Sequence, residues 1–413
     1  MKFIAHIAIA VSAVSFARPA LAQQPATPSP APAPALDFSG WVFGSYSLRT
    51  DSAAKATLGG KAPNQFSIDR AYLTFKMPAG DNGAIRVTTD LFQNTNSATN
   101  GFYPGWAVRL KYAYFQYTGL RNAFGTGSTL VGRVGLVHTA IVDYEETFWP
   151  RYLQGVAVER NGFFSSADAG VAGIMTLGDK LGEVYGSVAN GPGYTSYDKD
   201  RFKDFSLRVA LTPLASHASM NGIARTFAIA PWIYLGKVGS TFAAGGANQV
   251  GPGTNGAVTD GLTRNRYGVF AGVKDRRLTA GADYAQRKDE SETGANTVVT
   301  PRLVVDSSGR LIGGFVIARP LEWMDATKKS ALGIVARYDQ FTPNTSPTSA
   351  NYAGTTPAYS FLLLGAQYDL TQRIAIALDW QTTTPKNFPP VTGTNVRPTA
   401  RQSTLFVHWQ ATF

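Results

Sequence analysis

From Asp37 to Phe413 the chain alternates apolar and polar residues with a period of two, in runs of about 10 to 13 residues. Residues 83–93 put Ile85, Val87, Thr89 and Leu91 on one face and Arg86, Thr88, Asp90 and Phe92 on the other. Residues 203–212, 329–341 and 373–384 repeat the pattern, with Phe205, Leu207, Val209 and Leu211, then Leu332, Ile334, Ala336 and Tyr338, then Ile374, Ile376, Leu378 and Trp380 on the apolar side. Side chains of a β-strand point alternately to its two faces, so each run is a strand with one wet and one apolar surface. Strands of soluble sheets average about 5 or 6 residues. Segments of about 10 alternating residues instead mark strands that cross a bilayer. Helical crossing is excluded, because beyond the first 22 residues no apolar run approaches the length of about 18 that it requires.

Sixteen such segments can be marked: 37–49, 65–77, 83–93, 107–118, 128–138, 168–177, 182–190, 203–212, 222–235, 264–274, 277–288, 309–320, 329–341, 359–370, 373–384 and 399–413. The connections between them alternate, eight of 12 to 29 residues with seven of 2 to 9. Long loops at one end, short turns at the other and an even strand count describe an all-β, antiparallel, 16-stranded transmembrane barrel over 37–413. Tyr152–Phe163 also alternates. Counting it as a strand would give seventeen and break the alternation, so it is assigned to the longest connection, 139–167.

Composition agrees with a membrane wall. Charged residues make up only 16% of the chain, against about 25% in soluble domains, while the 42 Gly, 24 Phe, 18 Tyr and 7 Trp suit strands and interfacial girdles. Residues 1–22 read as an export signal: Lys2, an apolar stretch from Phe3 to Phe16, and Ala20-Leu21-Ala22 before the cut. Residues 23–36 form a Pro/Ala-rich linker with no means of packing a core. Losing Lys2 and Arg18 with the signal leaves 36 basic and 27 acidic residues, a net charge of +9. The absence of cysteine excludes disulfides, thiolate clusters and thiol nucleophiles. Phe413 closes a strand whose outer face is Leu405, Val407, Trp409, Ala411 and Phe413. A terminal aromatic of this kind resembles the signal by which outer-membrane assembly machinery recognises a barrel. The expected location is the bacterial outer membrane, among its lipids.

Function follows from where the charge goes. An Arg or Lys on the lipid face at mid-bilayer costs about 2–4 kcal/mol, so charged strand residues are expected to face the lumen. By parity that face carries Arg70, Lys76, Arg86, Arg109, Lys111, Arg133, Arg208, Arg266, Lys274, Arg287, Arg337 and Arg373 against Asp90, Asp204, Asp283, Asp339 and Asp379. A barrel of this size encloses water, so an electropositive wall implies a path for small anions. At about 7 Å from one guanidinium a unit anion gains about 2.4 kcal/mol at an effective dielectric of ~20, and about 0.6 kcal/mol in water. Arg70, Arg86, Asp90, Arg109, Lys111, Arg133, Arg208 and Arg337 are the candidates for lining it. Local pairing, as between Arg337 and Asp339, is the competing use of the same residues. Connection 139–167, with Asp143, Glu145, Glu146 and Arg151, is the candidate constriction, setting acids opposite basic strands, with a solvated loop or a carboxylate cluster holding a divalent ion as the alternatives.

Beyond residue 22 the histidines are His138, His217 and His408, none in a Ser/His/Asn arrangement, which argues against an enzyme. No phosphate loop, zinc spacing or nucleic-acid motif is present, so no cofactor, metal or nucleic-acid partner is expected. Aromatics such as Trp41 and Tyr72 on the lumenal parity keep a sugar-permeable or non-specific pore as the alternative.

Three stretches carry a family likeness. Ser67-Ile68-Asp69-Arg70-Ala71-Tyr72-Leu73-Thr74-Phe75 leads to a strand ending in Asp90, Tyr185–Gly193 leads through Lys203-Asp204 to Arg208–Pro213, and Val335-Ala336-Arg337-Tyr338-Asp339 precedes the closing aromatic strand. With these the chain resembles the outer-membrane phosphate-selective porin O and P family. The resemblance implies a porin-type barrel of sixteen strands, a homotrimer, a lysine- and arginine-lined path for anions that extends to phosphate, and a central binding region that includes Arg70 and Asp90. The chain departs from the family in lacking a doubled arginine at Arg70, and in carrying the Pro/Ala spacer where many relatives have a coiled coil.

Overall fold

The computed structural model describes residues 36–94, 105–123, 125–196, 198, 200–217, 222–239, 261–293, 303–325, 327, 329–345, 358–386 and 400–413. The expected export signal and all but the last residue of the linker lie outside the described residues.

Sixteen strands follow in order: β1 Asp37–Arg49, β2 Asn64–Pro78, β3 Gly83–Asn94, β4 Gly105–Arg121, β5 Thr129–His138, β6 Ala167–Leu177, β7 Gly182–Ala189, β8 Asp204–Leu211, β9 Ala228–Val238, β10 Leu262–Lys274, β11 Leu278–Thr293, β12 Leu303–Ala318, β13 Leu332–Thr342, β14 Tyr359–Asp369, β15 Ile374–Pro385 and β16 Gln402–Thr412. Each pairs antiparallel with its sequence neighbours, and β1 pairs with β16, so the barrel closes and leaves no unpaired edge. At the seam the Gly40 amide donates to the Phe413 carbonyl at 2.9 Å, and the Phe413 amide returns the bond at 3.0 Å.

The period-two reading places side chains correctly. Ile85, Phe205, Ile334, Tyr338, Leu378 and Val407 are exposed on the outside, while Asp90, Arg208, Arg337, Asp339 and Asp379 are buried within. Tyr152–Phe163 belongs to the connection between β5 and β6, with one helical turn at Ala157–Arg160, and is not a strand.

The largest departures from the expected boundaries are β12, which starts six residues earlier at Leu303, and β9, which starts six residues later at Ala228. Ahead of β9, Gly222–Arg225 makes a helical turn, so the connection there is longer than the expected 213–221. Within β9, Pro231 has no N–H to donate. The β8–β9 ladder accordingly runs from Phe205 to Arg208 and resumes only at Leu211.

Candidate functional site

The connection 139–166 folds back against the inner wall of the barrel. It leaves the wall at β5, yet bonds to strands almost all the way round the ring. Arg208 of β8 donates to the Ala140 carbonyl, Lys274 of β10 to that of Thr147 and Arg266 of β10 to that of Phe163. Arg287 of β11 donates to the Asn161 carbonyl at 3.5 Å, Arg337 of β13 to that of Gly155 at 2.7 Å, and Gln381 of β15 to that of Leu153 at 3.1 Å. A single loop can meet all these strands only from inside a closed ring. Its apolar residues Ile141, Val142, Trp149, Leu153, Val158 and Phe163 are buried against wall residues that include Phe270, Leu311, Phe361 and Leu363.

The inward fold creates a need for donors. A backbone carbonyl withdrawn from water must be paired, and long guanidinium side chains supply several N–H groups each. This explains why two expected anion ligands have another use. Arg208 and Arg337 are only 2% and 3% exposed. Arg208 bonds Glu183 and lies 3.8 Å from Asp143, while Arg337 grips Asp339 through Nε at 3.0 Å and Nη2 at 2.7 Å. They fasten the loop, and do not line an open path.

The expected lining residues on β2–β5 are gathered on one sector. Asp90, fully buried, accepts from Arg70 at 3.0 Å and Arg109 at 3.0 Å, and from the Tyr194 hydroxyl at 3.1 Å. Asp90 is therefore an anchor that orients two arginines. Lys111 is 3% exposed and lies 4.2 Å from the Tyr72 ring centre. Arg86 sits over Tyr112 and Arg133 over Tyr114, at 4.8 and 4.9 Å. Arg86 donates to Thr88 at 3.1 Å and Arg133 to Gln116 at 3.3 Å. Their Nη1 atoms also lie 3.4 and 3.3 Å from the two ring nitrogens of His138.

Residues five apart on a regular strand face opposite ways, yet Arg133 and His138 meet. Between them Gly135 takes φ +125°, and a Cβ there would lie 2.3 Å from the Ala113 carbonyl oxygen. Gly135→Ala is therefore expected to shift the β4–β5 register and separate this pair, at a cost of about 1–3 kcal/mol. Urea titration of the folded protein in detergent checks the loss. Unchanged stability would show that β5 accommodates the side chain.

Across from this sector stands the loop. Arg151 bonds Glu146 and grips Glu159 at 2.7 and 3.0 Å, so part of the acid expected to face the wall is neutralised within the loop. Burial pushes the Glu159 carboxyl up, but Arg151 outweighs it and holds the group below its ordinary range. Glu145 is 1% exposed, and burial followed by the nearby Asp283 pushes its carboxyl well up. Among the described residues, two cavities between loop and wall bear on the path. One, of about 450 Å³, is bordered by Arg70, Arg151, Glu159, Arg160, Gln381 and His408. The other, of about 210 Å³, sets Arg86, Lys111 and His138 against Asp143 and Glu146. Basic wall residues and loop acids thus border one cavity together.

His138, Tyr194 and Glu159 were not among the expected site residues. His138 stood at the mouth of the loop in the sequence, but its place between two arginines depends on the backbone at Gly135.

No protein-family model matches the sequence, and no curated protein matches it. Solved structures do match in fold. An anion-selective porin from Comamonas acidovorans is 11% identical with a TM-score of 0.54, over 92% of this chain and 100% of that one. OmpF of Salmonella typhi, in complex with daunomycin, is 12% identical at 0.56, over 92% and 97%. OmpT of Vibrio cholerae in a trimer form is 12% identical at 0.51, over 92% and 100%. The chain has the fold of outer-membrane porins.

Proposed function

We propose that this barrel is a passive diffusion pore of the bacterial outer membrane that favours small anions. The supporting observation is the sector formed by β2–β5. Arg86 and Arg133 have no carboxylate within ion-pair distance among the described residues, their partners being neutral side chains. The anchored loop keeps the path beside them narrow, where screening by salt over about 8 Å acts least. The fold shared with outer-membrane porins supports reading the barrel as a channel rather than an enzyme. Export through residues 1–22, assembly through Phe413 and homotrimer formation belong to the same proposal. The first two rest on the sequence, and the last on the family resemblance and on the trimer form of the Vibrio cholerae neighbour.

The test is the zero-current potential of the purified protein in a planar bilayer under a KCl gradient. Chloride preference is expected. Each of Arg86→Gln and Arg133→Gln is expected to reduce it about threefold or more, the lower Coulomb bound of about 0.6 kcal/mol. A cation-selective potential in the unaltered protein would overturn the reading. Phosphate, to which the family resemblance points, enters as a second step. Reduction of chloride current by millimolar phosphate supports an oxyanion path, and no reduction leaves a general anion pore.

A further inference from the structure

The smaller cavity has features that a plain anion path does not require. One side presents Arg86, Lys111 and His138, and the opposite side Asp143 and Glu146. Glu146 is committed to Arg151, but Asp143 has only Arg208 at 3.8 Å, and its Oδ1 has no hydrogen-bond partner. The Tyr72 hydroxyl, also on the cavity lining, is likewise buried without a partner. His138 adds a third mismatch. A neutral imidazole has one N–H and one acceptor nitrogen, yet a guanidinium nitrogen faces each ring nitrogen, at 3.4 and 3.3 Å. One of those contacts sets donor against donor. An acceptor lying alongside relieves it.

Together these groups call for a ligand with an acceptor at one end and a cationic donor at the other. We infer that this cavity is a recognition site for a small zwitterion, an α-amino acid. Its carboxylate takes the donors of Arg86, Lys111 and His138, with the Tyr72 hydroxyl as a further donor. Its ammonium group donates to Asp143. Size agrees: the cavity, of about 210 Å³, has room for a compact amino acid. The inference rests on the reading of the barrel as an open diffusion pore, and narrows its solutes to those carrying a carboxylate beside an ammonium group.

L-alanine and L-lactate test it, because they share a carbon skeleton and differ in ammonium against hydroxyl. Each is titrated against the chloride current of the full-length barrel in a planar bilayer, with the zero-current potential recorded on the same membrane. Alanine is expected to reduce the current saturably, at about one-tenth the lactate concentration, despite the net charge of lactate. Such a factor corresponds to one charge-assisted hydrogen bond. Asp143→Asn is expected to raise the half-reducing concentration of alanine about tenfold and to leave that of lactate within about twofold, and Asp143→Glu to restore alanine. Alanine acting no better than lactate in the unaltered protein overturns the inference, whether or not the variants assemble. Equal changes for the two solutes in Asp143→Asn also overturn it. Anion selectivity without discrimination removes the zwitterion site and keeps the anion pore. Discrimination in a cation-selective barrel does the reverse.

Discussion

Replacing Arg337 by alanine is expected to destabilise the barrel by about 3–5 kcal/mol and to raise its conductance. The first effect follows from removing one partner of a buried ion pair, which leaves the other charge uncompensated. Asp339, 0% exposed, loses its three contacts with the guanidinium, the shortest 2.7 Å. Glu145 and Asp283 lose the nearest positive charge that offsets their crowding. The second effect follows because Arg337 also holds the Gly155 carbonyl, near the middle of the loop. Release there frees the segment bordering the larger cavity. Urea titration and single-channel recording measure the two effects separately. A variant that loses stability but keeps its conductance would show that the remaining fasteners hold the loop alone.

A second large effect is expected from Glu145→Gln, and its size depends on pH. Burial and the carboxyl of Asp283 raise the Glu145 carboxyl above its ordinary range. In the folded state it therefore keeps its proton over a range where the unfolded chain has lost it. The folded state binds more protons, so stability falls as pH rises from the ordinary glutamate range toward the raised value, by about 1.4 kcal/mol per pH unit. Glutamine keeps the shape and removes the ionisation. The variant is expected to match the unaltered protein in acid, to exceed it at neutral pH, and to show a flatter profile throughout. Equal slopes in the two proteins would mean that Glu145 is already ionised at neutral pH.

Much of this architecture was legible because a membrane imposes a simple code. Lipid on one side and water on the other force the period-two pattern along β3, β8, β13 and β15, and the observed burial follows it. The pattern fails where backbone departs from the pleat. The helical turn at Gly222–Arg225 alternates no better and no worse than a strand over so few residues. Gly135 reverses the expected relation between Arg133 and His138 through a left-handed φ that no side-chain pattern reports. The site was half legible. Parity placed Arg208, Arg266 and Arg337 inward, but it cannot tell lumenal water from a carbonyl of a folded-in loop. Arg151 was a candidate of the constriction loop alongside its acids, and it binds Glu146 and Glu159 beside it.

The way the loop is held bears on how such a pore can change. Six of its fasteners grip main-chain carbonyls, at Ala140, Thr147, Leu153, Gly155, Asn161 and Phe163. Every amino acid brings the same carbonyl, so these six bonds are indifferent to the identity of the residue they hold. Substitutions at cavity-lining loop positions such as Asp143 can then alter what passes without undoing what holds. Mooring and preference are thus separable traits, and the second can drift while the first stays put.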